Sequence, residues 1–449
     1  MTKTEPLVTP VVALLPWGDL LEDFLDTINV SFDSFLCEMT GGWLFGYVDS
    51  LKAVGVQTVI FCVSAQVEEP TYCIHKPTGS TVCLLPSPRF HRWIRQFAKN
   101  PYGWELKETF GHRLWWSRPF WWLLKSIASY VATPLDLLAE EIQRMECSAI
   151  LCQEYEYPRF DACMLLQRRL NLPVFATFQG GDFQLSPLEK YIRPHTIHRC
   201  HGLIVASQVE MDRVQKTYTL DAQRIAKIFN PLDLDLWQPN ESEITTASRS
   251  EIRRQLGIPT DAVVVVYHGR MERYRKGLDI LLDAWESVSL GHENRDWWLL
   301  LVGTGSDVAE LRQRIAELPR QNVAWVNEYV LDRTLMQQYI RSADVYVLPS
   351  RHEGFPVAPL EAMACSLPVV ATNVPGIADI LEQGEQSGGI VVPVEDRHAL
   401  ATALVRLLSQ GELRQELGLR AKARVEEKFS LSAVGAELKT FLVSLDTST

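Results

Sequence analysis

The sequence predicts an α/β protein made of two facing, doubly wound, Rossmann-like domains, and three observations carry that prediction. Short apolar runs rich in Val, Ile and Leu recur without the apolar–polar alternation of a half-solvated sheet, so they read as parallel strands buried on both faces. Stretches long enough to form helices separate them, as parallel neighbours require. The runs also fall into two series on either side of a polar, proline-containing stretch, Asn230 to Ser250, which reads as a linker. With 449 residues, the chain is long enough for two or three domains, each with its own core.

The first series contains Val11–Leu15, Thr58–Val63, Ala149–Gln153, Val174–Phe178 and Gly202–Ala206. The second contains Val263–His268, Trp298–Val302, Val323–Val326, Val345–Leu348, Val369–Ala371 and Ile390–Val392. The expected division is residues 1–240 for the first domain and 241–429 for the second. Residues 430–449 form a helix that can return to the first domain. In such sheets ligands bind outside the carboxyl ends of the strands.

Composition narrows the class. Hydrophobic residues make up 47% and charged residues 22%, a globular balance. The net charge of −11 argues against a general nucleic-acid binder. Nine cysteines are scattered without C-x-x-C pairs, which points to a reducing, cytoplasmic setting and neither a disulfide framework nor a zinc site. The apolar run near the N-terminus is too short for a signal sequence and reads as the first strand.

The most informative stretch runs from Asp344 to Ala371. A buried strand ends in Pro349-Ser350, a polar loop carries Glu353-Gly354-Phe355-Pro356, and a helix beginning near Val357 contains Glu361. Pro356 and Pro359 fit only the loop or the first helical turn. The free N–H groups and positive dipole end of that helix suit an anionic ligand. Two carboxylates beside an anion site would repel a bare phosphate. They make sense if each accepts hydroxyl hydrogen bonds, one from a sugar and one from a ribose, with a diphosphate between them.

This motif resembles the retaining glycosyltransferases of family 4, whose donor site has two glutamates separated by seven residues. The resemblance implies the GT-B fold and extends to glycolipid synthases of the digalactosyldiacylglycerol type. It also implies a diphosphate clamp at Gly269-Arg270 and Lys276-Gly277, after strand Val263–His268. Arg270 offers a planar fork to phosphate oxygens and Lys276 a mobile point charge, so both stabilise the departing nucleoside diphosphate. Lys276 and Glu353 are expected on a loop or helix start without a packing role, so changing either should leave the thermal melt nearly unchanged.

Gly303 and Gly305 match the family's strand-Gly-x-Gly. Asn327-Glu-Tyr-Val330 stands where the family has Gly-x-Val near the base, a departure that leaves the base preference open. Gly41-Gly42 fits the family's N-terminal glycine loop, where the backbone can approach phosphate or acceptor. Gln179 stands where many relatives have His and can hydrogen-bond a sugar without acting as a base, and Asp182 is a candidate acceptor-side contact. Asp233-Leu-Asp235 spells a metal motif but lies in the linker element. The donor site is expected to need no metal and no cofactor, because Arg270 and Lys276 supply the positive charge.

Residues 89–125 hold six of the thirteen tryptophans and eight Lys/Arg against two Glu, in an otherwise acidic chain. Basic side chains among indoles suit the anionic, cytoplasmic face of a membrane. Phe120-Trp-Trp-Leu-Leu is apolar all round, as in a buried helix. The function expected is a retaining hexosyltransferase using a nucleotide sugar, with a UDP-hexose favoured and a membrane glycerolipid or a glycan as acceptor. Its rivals are an exopolysaccharide or small-molecule transferase, a nucleotide-sugar epimerase on the same fold, and a donor-binding protein without turnover.

Overall fold

The structure is a computed structural model that describes residues 9–28, 30–98, 100, 105–111, 117–178, 185–237 and 246–444. The chain divides into two units. The first comprises residues up to Val205, Met211–Ile228 and the segment from Gly435 on, and the second comprises Ala206–Glu210 and Phe229–Val434.

The first unit holds strands β1 (Val11–Leu15), β2 (Gln57–Ser64), β3 (Thr71–Ile74), β4 (Thr81–Pro86), β5 (Ala149–Gln153), β6 (Val174–Phe178), β7 (Gly202–Val205) and β8 (Ile225–Lys227). They form one sheet in the order β3-β4-β2-β1-β5-β6-β7-β8. The pairing is parallel except where β3 runs antiparallel to β4. β1 and β5 are buried along almost their whole length, as strands covered on both faces must be. β3 alternates half-buried and exposed residues, the pattern of an edge. The helix Leu431–Ser444 carries Phe441 against Phe175, ring centroids 5.7 Å apart, and a side chain at Gly202 would collide with that ring.

The second unit holds β9 (Val263–His268), β10 (Trp297–Val302), β11 (Val323–Val326), β12 (Val345–Leu348), β13 (Val369–Thr372) and β14 (Gly389–Val392). All six are parallel, in the order β11-β10-β9-β12-β13-β14. The chain therefore winds outward from β9 in one direction, returns, and winds outward from β12 in the other. The crevice where the direction reverses lies between the carboxyl ends of β9 and β12, the place where doubly wound sheets bind ligands. Helices such as Leu278–Gly291, with Leu281, Trp285 and Val288 buried, cover the sheet and complete its core.

The basic, tryptophan-rich segment folds within the first unit as the helices Arg89–Arg95, Leu106–Phe110 and Arg118–Ala128. Ile94, Phe110 and Leu124 form a small satellite core with Trp121 packed against it. Phe120, Trp122 and Leu123 stay about half exposed, as do Phe90 and Trp93 on the first helix. Helix Arg118–Ala128 is thus amphipathic rather than buried all round, because only one of its faces meets the satellite core. Trp104, Arg113, Trp115 and Trp116 lie outside the described residues. No described helix is long and apolar enough to cross a membrane.

Candidate active site

Three turns at the carboxyl ends of β9, β10 and β12 build the site, and steric constraints fix their paths. After β10, Gly303 has φ 136°, and a Cβ there would stand 2.0 Å from the carbonyl oxygen of Gly269, which follows β9. Only glycine permits so close a backbone approach. Gly277 caps the helix Leu278–Gly291 in a left-handed conformation, φ 63°, and its Cβ would lie 1.9 Å from the Pro349 carbonyl after β12. These two contacts draw the Gly269–Gly277 turn against both neighbouring turns. Arg351 ties the same loops together: its guanidinium donates to the Tyr274 carbonyl (2.6 Å) and to both Asp279 carboxylate oxygens (2.7 and 2.9 Å). Its backbone N–H donates to the Arg275 carbonyl at 2.9 Å.

Within this frame Lys276 Nζ donates to Glu353 Oε1 at 2.7 Å, and the Ser350 hydroxyl donates to the same oxygen at 2.7 Å. Both charged side chains are largely enclosed, with exposures of 15% for Lys276 and 9% for Glu353. This corrects the expectation that neither has a packing role: they form a sheltered ion pair joining the β9 and β12 turns. Arg270 differs, because its guanidinium is more than half exposed and pairs with Glu272 at 2.9 Å.

Glu361 lies in the helix Ala358–Ala364, which Val357 caps at its N-terminus. Its Oε2 sits 2.6 Å from His268 Nε2, and its Oε1 lies 3.5 Å from Arg333 Nη1. Burial alone would push this carboxyl up. The hydrogen bond and charge interaction with His268, aided by the Arg333 guanidinium, hold it below its ordinary value. Glu361 is therefore an ionised, acceptor-only carboxylate at neutral pH.

The remaining expected residues divide by location. Gly269, Gly303 and Gly354 lie on the same turns; Gly354 and Pro356 are crossed at close range by Gly376. Phe355 turns its ring into the core, stacked on Phe229 at 5.3 Å and beside Phe429, so its backbone is what faces the turn. Val357 and Val330 are half-buried against the core of the second unit. Gly41 and Gly42 belong to the first unit, where Gly41 caps the helix Gly42–Ala53. There the buried His75 pins the preceding loop, its Nε2 lying 2.9 Å from the Met39 carbonyl oxygen. Gln179 and Asp182 lie outside the described residues. Asp233 Oδ1 accepts from the backbone N–H groups of Asp235 and Leu236, which makes it a cap for helix Leu234–Trp237.

His268, Arg333, Ser350 and Arg351 are the participants that sequence reasoning missed. His268 had a visible signal, a polar residue ending an otherwise apolar strand immediately before Gly269-Arg270. Arg333 had none, since only the packing of its helix brings it to Glu361.

Residues 262–410, which include every charged group of this site, match the family model "Glycosyl transferases group 1". Among curated proteins, the chain is 27% identical over 252 residues to the α-D-kanosaminyltransferase of Streptomyces kanamyceticus, covering 56% of this chain and 62% of that protein. It is 28% identical to D-inositol 3-phosphate glycosyltransferase 2 of Catenulispora acidiphila, covering 52% and 54% respectively. The chain thus spans less than two thirds of the length of these relatives. Among solved structures, the sucrose-phosphate synthase of Thermosynechococcus elongatus superposes with a TM-score of 0.67 at 20% identity, covering 98% of this chain and all of that one. HepE of Anabaena, in complex with UDP-glucose, gives 0.66 at 15% identity, covering 97% and 99%. Residues 262–410 are thus similar to a group 1 glycosyltransferase domain, and the chain has a GT-B fold.

Proposed function

We propose that this protein is a retaining glycosyltransferase that moves a hexose from a nucleotide sugar, a UDP-hexose by preference, to an acceptor hydroxyl. The observation that carries the reading is the sheltered Lys276–Glu353 pair at the switch point, with the ionised Glu361 eight residues on. A cation and two carboxylates set along one crevice fit an elongated ligand with hydroxyls at both ends and a diphosphate in the middle. The HepE structures, which hold UDP and UDP-glucose, support the donor class.

In this reading the diphosphate meets Lys276 and the solvent-facing Arg270. Binding it draws Lys276 away from Glu353, which frees that carboxylate to accept hydrogen bonds from sugar hydroxyls. Glu361 accepts from the ribose. The anomeric C–O bond to the diphosphate breaks while the acceptor oxygen bonds to the same face. The acceptor proton passes to the departing phosphate oxygen, and the fixed cations stabilise the charge that develops there. Without a residue taking the proton, the acceptor side need only position a hydroxyl, a role that Gln179 and Asp182 can fill.

The acceptor we favour is a membrane glycerolipid, reached at the cytoplasmic face of a membrane. Its support is the half-exposed Phe90, Trp93, Phe120, Trp122 and Leu123 beside the exposed Arg89 and Arg118. Incubation with labelled UDP-glucose, UDP-galactose and GDP-mannose, with and without lipid extract, tests both parts. Lipid-dependent labelled product with retained anomeric configuration is expected. Interconverted sugar nucleotide would identify an epimerase, transfer only to soluble glycans would remove the lipid acceptor, and donor binding without turnover would end the enzyme reading.

A further inference from the structure

We infer that His268 is the positioning residue of the donor site, holding the Glu361 carboxylate in the orientation that reads the ribose hydroxyls of the nucleotide. The inference rests on the proposed donor reading and adds a residue to it. His268 ends β9, is only 6% exposed, and places Nε2 2.6 Å from Glu361 Oε2. Its ring is fixed from behind by the fully buried Tyr346, edge-on with centroids 5.4 Å apart, whose hydroxyl is directed at the His268 carbonyl.

The other ring nitrogen decides the tautomer. Nδ1 is buried and has no hydrogen-bond partner among the described residues. A hydrogen on Nδ1 would be an unsatisfied buried donor, whereas one on Nε2 meets the carboxylate. That hydrogen points at one lone pair of Oε2. Arg333 approaches the other oxygen from a different helix at the longer distance of 3.5 Å. The carboxylate is thus fixed in rotation, stays ionised, and keeps its other lone pairs for hydroxyl donors. Without the imidazole, the enclosed carboxylate would lose this 2.6 Å hydrogen bond and with it the orientation matched to a ribose.

Equilibrium binding of UDP and 2′-deoxy-UDP, with GDP and 2′-deoxy-GDP as a second pair, reads this directly. A hydroxyl bonded to an ionised carboxylate should give wild type about a tenfold to hundredfold preference for the ribonucleotide. H268L should reduce that preference to within about threefold by weakening ribonucleotide binding while leaving the deoxynucleotide nearly unchanged. H268N, whose amide is too short to reach Glu361, should behave like H268L and serves where H268L does not fold. H268Q, whose amide nitrogen can replace Nε2, should restore most of the preference. Wild-type preference in folded H268L or H268N overturns the inference. E361Q separates the two levels: if it too keeps the preference, or if neither nucleotide pair binds wild type, the donor reading itself fails. If E361Q loses the preference while H268L and H268N keep it, only the role of His268 falls.

Discussion

Replacing Lys276 by Ala and Glu353 by Gln should damage activity alike but stability unequally. At 2.7 Å, the charges attract by roughly 6 kcal/mol with an effective dielectric constant of about 20, before desolvation is subtracted. Removing one partner of a buried pair typically costs about 3–5 kcal/mol, because it strands the other charge. Lys276→Ala strands a carboxylate that is 9% exposed and keeps, among the described residues, the Ser350 hydroxyl, so we expect about 2–3 kcal/mol. At about 2–4 °C per kcal/mol for a domain of this size, the second unit should melt roughly 5–10 °C lower. Glu353→Gln leaves Lys276 an amide oxygen to donate to, and Lys276 has some access to solvent, so about 1 kcal/mol is expected. Both variants should lower turnover by two or more orders of magnitude, the scale of a lost preorganised electrostatic contact. A double-mutant cycle on the melts should give a coupling of about 1–3 kcal/mol. Wild-type melting of Lys276→Ala would show that the pair does not form in solution, and near wild-type turnover of either variant would refute the donor-site assignment.

Other consequences are equally direct. Gly303→Ala sets a methyl 2.0 Å from the Gly269 carbonyl at φ 136°, so it should cost about 3 kcal/mol or more and abolish nucleotide binding, as followed by circular dichroism and calorimetry. Because the folded-state pKa of Glu361 is depressed, the unfolded chain binds its proton more tightly. The stability this group contributes is therefore present above the ordinary glutamate value of about 4.3 and lost as the pH falls through the lower folded-state value, so the wild-type advantage over E361Q in denaturant melts should shrink there. Burial pushes the thiols of Cys62, Cys83, Cys147, Cys200 and Cys365 up to about 12, and Cys152 and Cys163 are buried as well. A thiol reagent should therefore modify only Cys37 and Cys73 in the native protein, and labelling of more sites before unfolding would contradict the packing of the unit that holds them. Replacing Arg89 and Arg118 by Glu with Phe120 and Trp122 by Ser should release the protein from anionic vesicles, each basic residue contributing about 1 kcal/mol, without a lower melt. Loss of the cooperative melt would mean that these side chains are core.

Strands flanked on both sides by neighbours, β4 excepted, were legible in the sequence, because burial on both faces demands continuous apolar runs. β1, β9 and β12 begin and end where those runs do. β3 and β4 and the short β8 were not legible: β3 has the mixed composition of an edge, and β8 is three residues long. The positions of the turn glycines and of the two glutamates at strand ends and a helix start were legible as well, since their spacing is a local property of one strand, loop and helix. What those residues touch was not. Lys276 and Glu353 are 77 positions apart, and His268 and Glu361 are 93 apart. Their meeting depends on β12 crossing back to pair with β9, which sets two carboxyl ends side by side. A local pattern can assign a residue to the end of a strand, whereas the register between two distant strands decides which charge it faces, and register is a property of the folded sheet alone.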